Sequence, residues 1–300
     1  MLDVVVIGAG PAGMTCALYA SRAGASVMIL DKGAPGGKMN LTASIENYPG
    51  ADMKGPQLAY AMYEQSMKFG AKMDYKEIVS IEKKDDYFVV KTNKEEIETK
   101  NVVLASGTKE RLMNIELEEE LTGRGVSYCA VCDGPFFKNK DVAVVGGGNS
   151  ALEESLYLST IVNKVHLIVR RDVFRADEYF VNKINECENI EVHFLKKPHK
   201  IIEENKKVAG LVVEDSQTQE LTTINVQGIF PFIGLDPLSE LVKSFDVTNE
   251  QGYVLVDENM ETTVKGLFAI GDVRDKTLRQ VVTATNDGAI AGQYIASQLR

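Results

Sequence analysis

Cysteine is scarce in this sequence, four in 300 residues, which excludes a fold held together by a disulfide framework. Basic residues are outnumbered, 33 Lys and Arg against 43 Asp and Glu, for a formal net charge of −10. With no basic stripe to neutralise phosphates, nucleic-acid binding is not expected. Nowhere do about 18 apolar residues run uninterrupted, so no membrane partner or span is expected. The opening MLDVVVIGAG reads as a buried strand with no positively charged leader before it, and the expectation is a cytoplasmic protein. In a reducing compartment, two cysteines placed close together are suited to catalysis or metal binding rather than to bracing the fold.

What is present begins with VVVIGAGPAGMTCALYASRAGASVMILD. A β-branched run leads into Gly8-x-Gly10-x-x-Gly13, then a helical segment, a second strand and an acid at Asp31. This is the dinucleotide-binding fingerprint in its proper context. Its glycines let a pyrophosphate approach the helix N-terminus, and Asp31 can accept hydrogen bonds from ribose hydroxyls.

The pattern recurs in DVAVVGGGNSALEESLYLSTIVNKVHLIVRRDVFR, with Gly146-x-Gly148-x-x-Ala151. Asp31 lies 23 residues after Gly8, and the same offset from Gly146 reaches Val169, followed by Arg170, Arg171 and then Arg175. An acid would repel a ribose 2′-phosphate, whereas guanidinium groups pair with one, so the second unit is expected to take NADPH rather than NADH. A solvated basic turn is the plainer alternative.

Alternating short runs after each unit read as a β-meander followed by a buried strand. GLFAIGDVRDKTLRQVVTATNDGAIAGQYIASQ then supplies one more strand, a Gly271-Asp272 pair and a helix, and most simply completes the first domain. The expected fold is therefore α/β, with two Rossmann-like dinucleotide-binding domains of a three-layer ββα type, the second inserted into the first. The expected boundaries are 1–110 with 238–300 for the outer domain and 111–237 for the inserted one.

CAVCDG places Cys129 and Cys132 three residues apart with Asp133 next. So small a ring would stabilise the fold by only about 2 kcal/mol, which makes it a poor staple. A zinc site needs further ligands. Cys16 sits in the first nucleotide-binding helix, Cys187 has no nearby partner, and His166, His193 and His199 show no ligand spacing, so no metal is expected. Reversible disulfide exchange remains for the pair. By position alone, Asp133 is either a turn or cap residue or a proton carrier for the thiols.

Taken together, GAGPAG, ENYPG, GRGVSYCAVCDG, GGGNSALEE, RRDVFR and FAIGDVRDKTLRQVVTA, in that order and spacing, resemble the low-molecular-weight thioredoxin reductases along essentially the whole chain. The resemblance implies FAD in the outer domain, near Gly8, Gly10, Ala12, Gly13, Asp31, Gly36, Gly37, Asn47, Asp272, Arg279, Gln280 and Val281. It implies NADPH in the inserted domain, with Gly148, Asn149, Ser150 and Ala151 at the pyrophosphate and Arg170, Arg171 and Arg175 at the 2′-phosphate. It further implies that Cys132 faces the flavin, that Cys129 attacks the disulfide of a thioredoxin, that Asp133 handles a proton, that the domains rotate about the two crossings, and that the protein is a homodimer.

Four positions depart from the family pattern. Val169 replaces a histidine before the arginines, Glu116-Leu117 replaces a Pro-Gly, and Lys38 stands near the flavin where a glutamine is common. The rival readings are a same-fold reductase fed by ferredoxin, a thioredoxin-like or peroxiredoxin partner in place of thioredoxin, and a non-enzymatic FAD-binding redox sensor. Met53, Met62, Met67 and Met73 read as core filler, Cys16 and Cys187 as inert thiols, and the acidic run Glu116 to Glu120 as a solvated helix start.

Overall fold

Val4 and Val6 of the first strand face one layer of apolar side chains while Val5 and Ile7 face another, so a single β-branched run is buried on both sides, as a central parallel strand must be. The structure is a computed structural model that describes residues 1–41 and 45–299. It divides into two units, Met1–Lys109 with Asp236–Arg300, and Glu110–Leu235.

The first unit opens with β1 (Leu2–Ile7), α1 (Pro11–Arg22) and β2 (Val27–Asp31). A short antiparallel pair follows, β3 (Ile45–Tyr48) and β4 (Ala51–Met53), then α2 (Gly55–Met67). The unit continues through β5 (Lys72–Tyr75), β6 (Ile78–Lys83), β7 (Phe88–Thr92), β8 (Glu96–Leu104) and β9 (Thr108–Glu110). The main sheet runs β5-β2-β1-β8-β7-β6. Its strand β8 does two jobs. The first half pairs antiparallel with β7, and the second half lies parallel to β1. The meander is thus continuous with the nucleotide-binding sheet.

The second unit holds α3 (Ala130–Asp133), β10 (Asp141–Val145), α4 (Asn149–Ser159), β11 (Lys164–Val169), α5 (Glu178–Glu186) and β12 (Ile190–Phe194). It continues with β13 (Lys196–Glu204), β14 (Lys207–Asp215), β15 (Leu221–Ile224) and β16 (Gly228–Pro231), and the chain passes back into the first unit through β17 (Leu235–Pro237). Here the meander β13-β14-β15 is a sheet of its own, separate from the parallel sheet β12-β11-β10-β16. Val142, Val144 and Leu167 pack with helix residues Leu152, Leu158 and Ile184. On the opposite face, Ala143, Val145 and Ile168 pack with Ile201, Leu211 and Val213 of the meander. Three layers result, as expected from the sequence.

The chain then returns to the first sheet through β18 (Leu267–Ala269), parallel to β8, and ends in α6 (Val281–Gln298). Helix α6 lies tight on α1, because Gly288 and Gly292 let it approach: a Cβ on Gly288 would sit 2.3 Å from the Ala12 carbonyl oxygen, and one on Gly292 2.6 Å from that of Cys16. Met53 and Met62 fill gaps around the cluster of Met14, Met39 and Leu58, and Met67 and Met73 pack on the main core.

The acidic run at 116–120 differs from expectation. It forms turns, not a helix, and Glu118 is 2% exposed. Its carboxylate accepts the backbone N–H groups of Met113 and Asn114 and the hydroxyl of Tyr128, which satisfies the buried charge.

Candidate functional site

In the first unit the turn between β1 and α1 is shaped by clearance. Gly8 has φ +111°, and a Cβ there would lie 2.3 Å from the Ala105 carbonyl oxygen. A Cβ on Gly13 would lie 2.0 Å from the Gly8 carbonyl oxygen. Gly10 differs: nothing lies within 4 Å of where its Cβ would be. The first two glycines are needed by the protein's own packing, whereas the third leaves open space at the start of α1. That helix begins with Gly10 as N-cap and Pro11 in its first turn, without a side-chain cap, so its leading N–H groups point at this space.

Asp31 ends β2 and braces the turn. Its Oδ2 accepts the Ala9 N–H at 2.7 Å and its Oδ1 the Gly33 N–H at 2.9 Å, leaving further lone pairs for a ribose. The Gly36-Gly37 turn meets the same loop, with the Gly36 N–H donating to the Ala9 carbonyl at 2.7 Å.

Asp272 follows β18. Its Oδ1 is buried and has no hydrogen-bond partner, and burial raises its pKa against the pull of Lys276, Lys38 and Arg279. A buried acceptor with nothing to accept is costly. It therefore fits a ligand rich in hydroxyl donors. Other residues singled out in the sequence gather in this unit. Lys38 Nζ donates to Thr108 Oγ1 at 3.2 Å, Arg279 Nε donates to the Asp272 carbonyl at 3.4 Å and stacks on Tyr253, and Asn47 Nδ2 donates to Gln280 Oε1 at 3.0 Å. Val281 packs against the cluster that contains Met14, Met39 and Leu58.

Sequence reasoning missed Asp287. It is fully buried in α6, where Oδ2 accepts the Gly271 N–H and both oxygens take bonds from Arg274, at 2.8 and 2.9 Å, with Lys276 at 2.7 Å. Burial works against its charge, but these cations outweigh it and hold the carboxyl below the usual carboxylate range. Asp287 thus fixes the Gly271-Asp272 turn. The signal for it is a lone acid among Ala, Gly and Thr in TNDGAIAG.

In the second unit, Gly146 repeats the role of Gly8: its Cβ would lie 2.3 Å from the Phe232 carbonyl oxygen. Gly148 caps α4 without a side chain, and Ala151 is buried within it. Asn149 is tied by both ends of its amide to Asp177, at 2.9 and 2.8 Å, while Ser150 remains exposed. The Arg175 N–H donates to the Gly147 carbonyl, which folds the arginine segment back onto the glycine turn. Arg170, Arg171 and Arg175 are exposed there. Val169 is 2% exposed, and a Cβ on Gly147 would meet its Cγ1 at 2.9 Å, so Val169 forms a floor to the turn.

Cys129 and Cys132 form a disulfide, with Cα atoms 5.3 Å apart and α3 wound around it. The Cys132 N–H donates to Cys129 Sγ at 3.1 Å, Cys129 is half-buried and Cys132 exposed. Asp133 accepts the hydroxyl of Ser127 through Oδ2 at 2.6 Å, and Ser127 Oγ accepts the Cys129 N–H at 3.1 Å. Ser127, a plain residue in the sequence, therefore joins the acid to the disulfide. A cavity of about 300 Å³ opens beside Ser127 and Asp133, lined also by Arg124, Val126, Phe136 and Val208, and Phe136 is 73% exposed. The other two cysteines are apart from this chemistry. Burial pushes the Cys16 thiol up to about 12, and half-buried Cys187 hydrogen-bonds Asn189.

Residues 2–288 match the model of the pyridine nucleotide-disulphide oxidoreductase family. The chain is 44% identical to the thioredoxin reductase of Bacillus subtilis over 98% of this chain and 93% of that one, and 44% identical to that of Ureaplasma parvum over 97% and 95%. The solved thioredoxin reductase of Lactococcus lactis matches with a TM-score of 0.97 and 42% identity, covering 99% of this chain and 98% of its own. Flavin and nicotinamide cofactors go with this kinship. Among the described residues no helix is long and apolar enough to cross a membrane.

Proposed function

The chain belongs to the pyridine nucleotide-disulphide oxidoreductases, and within them to the thioredoxin reductases; from that premise we propose that it uses NADPH and FAD to reduce the disulfide of a thioredoxin through Cys129 and Cys132. The observation that carries this reading is the closed Cys129–Cys132 disulfide with Asp133 held beside it by Ser127. When bound, a flavin relays the electron pair of NADPH to that disulfide.

The chain's own residues divide the remaining work. In the first unit, the N-terminus of α1 and the open space at Gly10 suit a pyrophosphate, and the unpartnered Asp272 Oδ1 suits hydroxyl donors of FAD. Lys38 and Arg279 lie near that acid, and Gln280, next to Arg279 in the chain, is bonded to Asn47. In the second unit, Gly148, Ser150 and Ala151 open α4 toward a second pyrophosphate, and Arg170, Arg171 and Arg175 pair with the 2′-phosphate of NADPH. The buried position of Val169 leaves those arginines their role.

Reduction of the disulfide leaves two sulfurs that share the need for a proton. Asp133 is placed to deliver one and to reclaim it when the dithiol is reoxidised, with Ser127 fixing its orientation. A thiolate on one cysteine then attacks the thioredoxin disulfide, and the other cysteine closes on the mixed disulfide to release reduced thioredoxin. Exposed Phe136 and the cavity beside Asp133 offer a protein partner an apolar foothold next to the sulfurs. Two copies of the chain form the working assembly.

Anaerobic addition of NADPH to the FAD-loaded protein tests this reading by thiol counting. Two new thiols per chain, mapped by alkylation to Cys129 and Cys132, are expected. Bleaching of the flavin without new thiols would overturn it.

A further inference from the structure

Away from the disulfide and both glycine turns, two imidazoles meet across neighbouring strands. In the parallel register of β11 and β12, His166 lies opposite Glu191, and Ile168 opposite His193. Alternation of side chains puts His166, Glu191 and His193 on one face of the sheet. His166 Nδ1 lies 3.0 Å from His193 Nε2, and Glu191 reaches both rings, at 3.9 Å to His166 and 3.5 Å to His193. Spacing along the chain hides this set, because the two histidines are 27 residues apart and only strand pairing joins them.

From this geometry we propose that His166, Glu191 and His193 form a binding site for a divalent transition-metal ion such as zinc, clamping β11 to β12. Zinc binds His and carboxylate ligands at about 2.0–2.2 Å, so donor atoms around a tetrahedral ion lie about 3.3 Å apart. The facing nitrogens are 3.0 Å apart, and the two carboxylate oxygens of Glu191 approach one ring each, Oε1 at 3.5 Å from His193 Nε2 and Oε2 at 3.9 Å from His166 Nδ1, so a small rotation of the carboxylate brings one donor atom from each residue to that spacing. Two histidines and one glutamate also leave coordination positions for water, and Glu191 is the exposed side through which an ion enters.

Protonation favours the site. The facing nitrogens are in hydrogen-bond contact at 3.0 Å, so at least one of them is unprotonated and carries a lone pair. One ring now donates its N–H to the other. On metal binding that proton moves to the same ring's second nitrogen, so both facing nitrogens become ligands with no net proton release. The charged groups around the cluster are Lys164, Lys196 and Asp141. Lys164 pairs with Glu191 at 3.0 Å, but this pair is exposed, and such a pair is weak enough for a metal to displace.

The test is a calorimetric titration of chelator-washed, FAD-loaded protein with zinc ion alone. The Cys129–Cys132 disulfide is kept closed so that its thiolates do not compete. One equivalent is expected to bind near neutral pH. His166→Asn and His193→Asn should each weaken binding by about tenfold or more, Glu191→Gln less, and mild acid should abolish it. Glu191 is exposed, so Glu191→Gln reports on the site even if a histidine variant folds poorly. Cobalt(II) provides a second readout through its visible absorption bands, which the double histidine variant should lack. Absence of zinc binding by the native chain, or equal binding by the native chain and all three variants, would overturn the proposal.

Discussion

Ser127 Oγ donates a 2.6 Å hydrogen bond to Asp133 Oδ2 while accepting the Cys129 N–H at 3.1 Å, so one hydroxyl couples the carboxylate to the backbone of the disulfide ring. Six residues separate serine and acid along the chain, and α3 closes the distance. Removing the hydroxyl should leave Asp133 free to swing away from the sulfurs. Ser127→Ala is expected to lower kcat with thioredoxin by about tenfold with little change in KM for NADPH, and Asp133→Asn to lower it by about a hundredfold, in the range of a positioned proton donor. Steady-state rates as a function of pH check this, because only a role in proton transfer alters the shape of the profile. Ser127→Thr should restore most of the rate.

Gly10 and Gly13 should respond in opposite ways to the same methyl group. A Cβ on Gly13 collides with the Gly8 carbonyl oxygen at 2.0 Å, so Gly13→Ala should destabilise the first unit. Gly10 has φ −74° and open space, so Gly10→Ala should fold normally yet lose FAD, because its methyl occupies the space beside the start of α1. Thermal melts alongside the flavin absorbance of the purified variants separate the two effects.

Arg170 and Arg171 are exposed, and the proposed function has them pair with the 2′-phosphate of NADPH. Each charge-assisted bond contributes about 1.5–3 kcal/mol, so losing both arginines should raise KM for NADPH by about a hundredfold or more. Rates with NADH, which has no such phosphate, should hardly change. Parallel kinetics with the two nucleotides test the assignment.

Asp287 carries a buried charge matched by Arg274 and Lys276. Its depressed folded-state pKa adds stability that is present above the unfolded value and lost as pH falls through the folded one. Asp287→Asn leaves two cations without their partner at a cost of about 3–5 kcal/mol, which should lower the melting temperature and loosen the Gly271-Asp272 turn. Calorimetric melts across the acid range, with flavin retention, provide the check.

Glu154 has the opposite sign. Burial, helped by Glu153, pushes its pKa up to about 7 from 4.5, and its Oε2 has no hydrogen-bond partner. The native state therefore holds a proton that the unfolded chain releases, and stability falls as pH rises from about 4.5 to about 7. Glu154→Gln removes this penalty, on the order of 3 kcal/mol above neutrality, and should raise the melting temperature at alkaline pH but not near pH 4.

These residues also mark what the sequence made legible. The two glycine turns, the acid at Asp31, the exposed arginine segment and the cysteine pair were readable as features because each is a local pattern set by near neighbours. Ser127 was missed because a serine two residues before a cysteine carries no pattern, and its meaning arises only when α3 winds back toward it. Asp287 depends on cations 11 and 13 residues away in a turn before its helix, and Asn47 meets Gln280 across 233 residues. Glu118 looked solvated within an acidic run, yet two backbone N–H groups and Tyr128 made its burial tolerable. Val169 departs from the family pattern, and its packing against Gly147 was not legible because it depends on how the turn folds over the end of β11.

The most direct measurement is NADPH oxidation by the purified FAD-loaded protein with and without oxidised thioredoxin, repeated with Cys132→Ser. The account predicts rapid oxidation only when thioredoxin is present and its loss in the variant. Equal oxidation by native protein and variant, or none by either with thioredoxin supplied, would contradict the assignment of Cys129 and Cys132 as the route of the electrons.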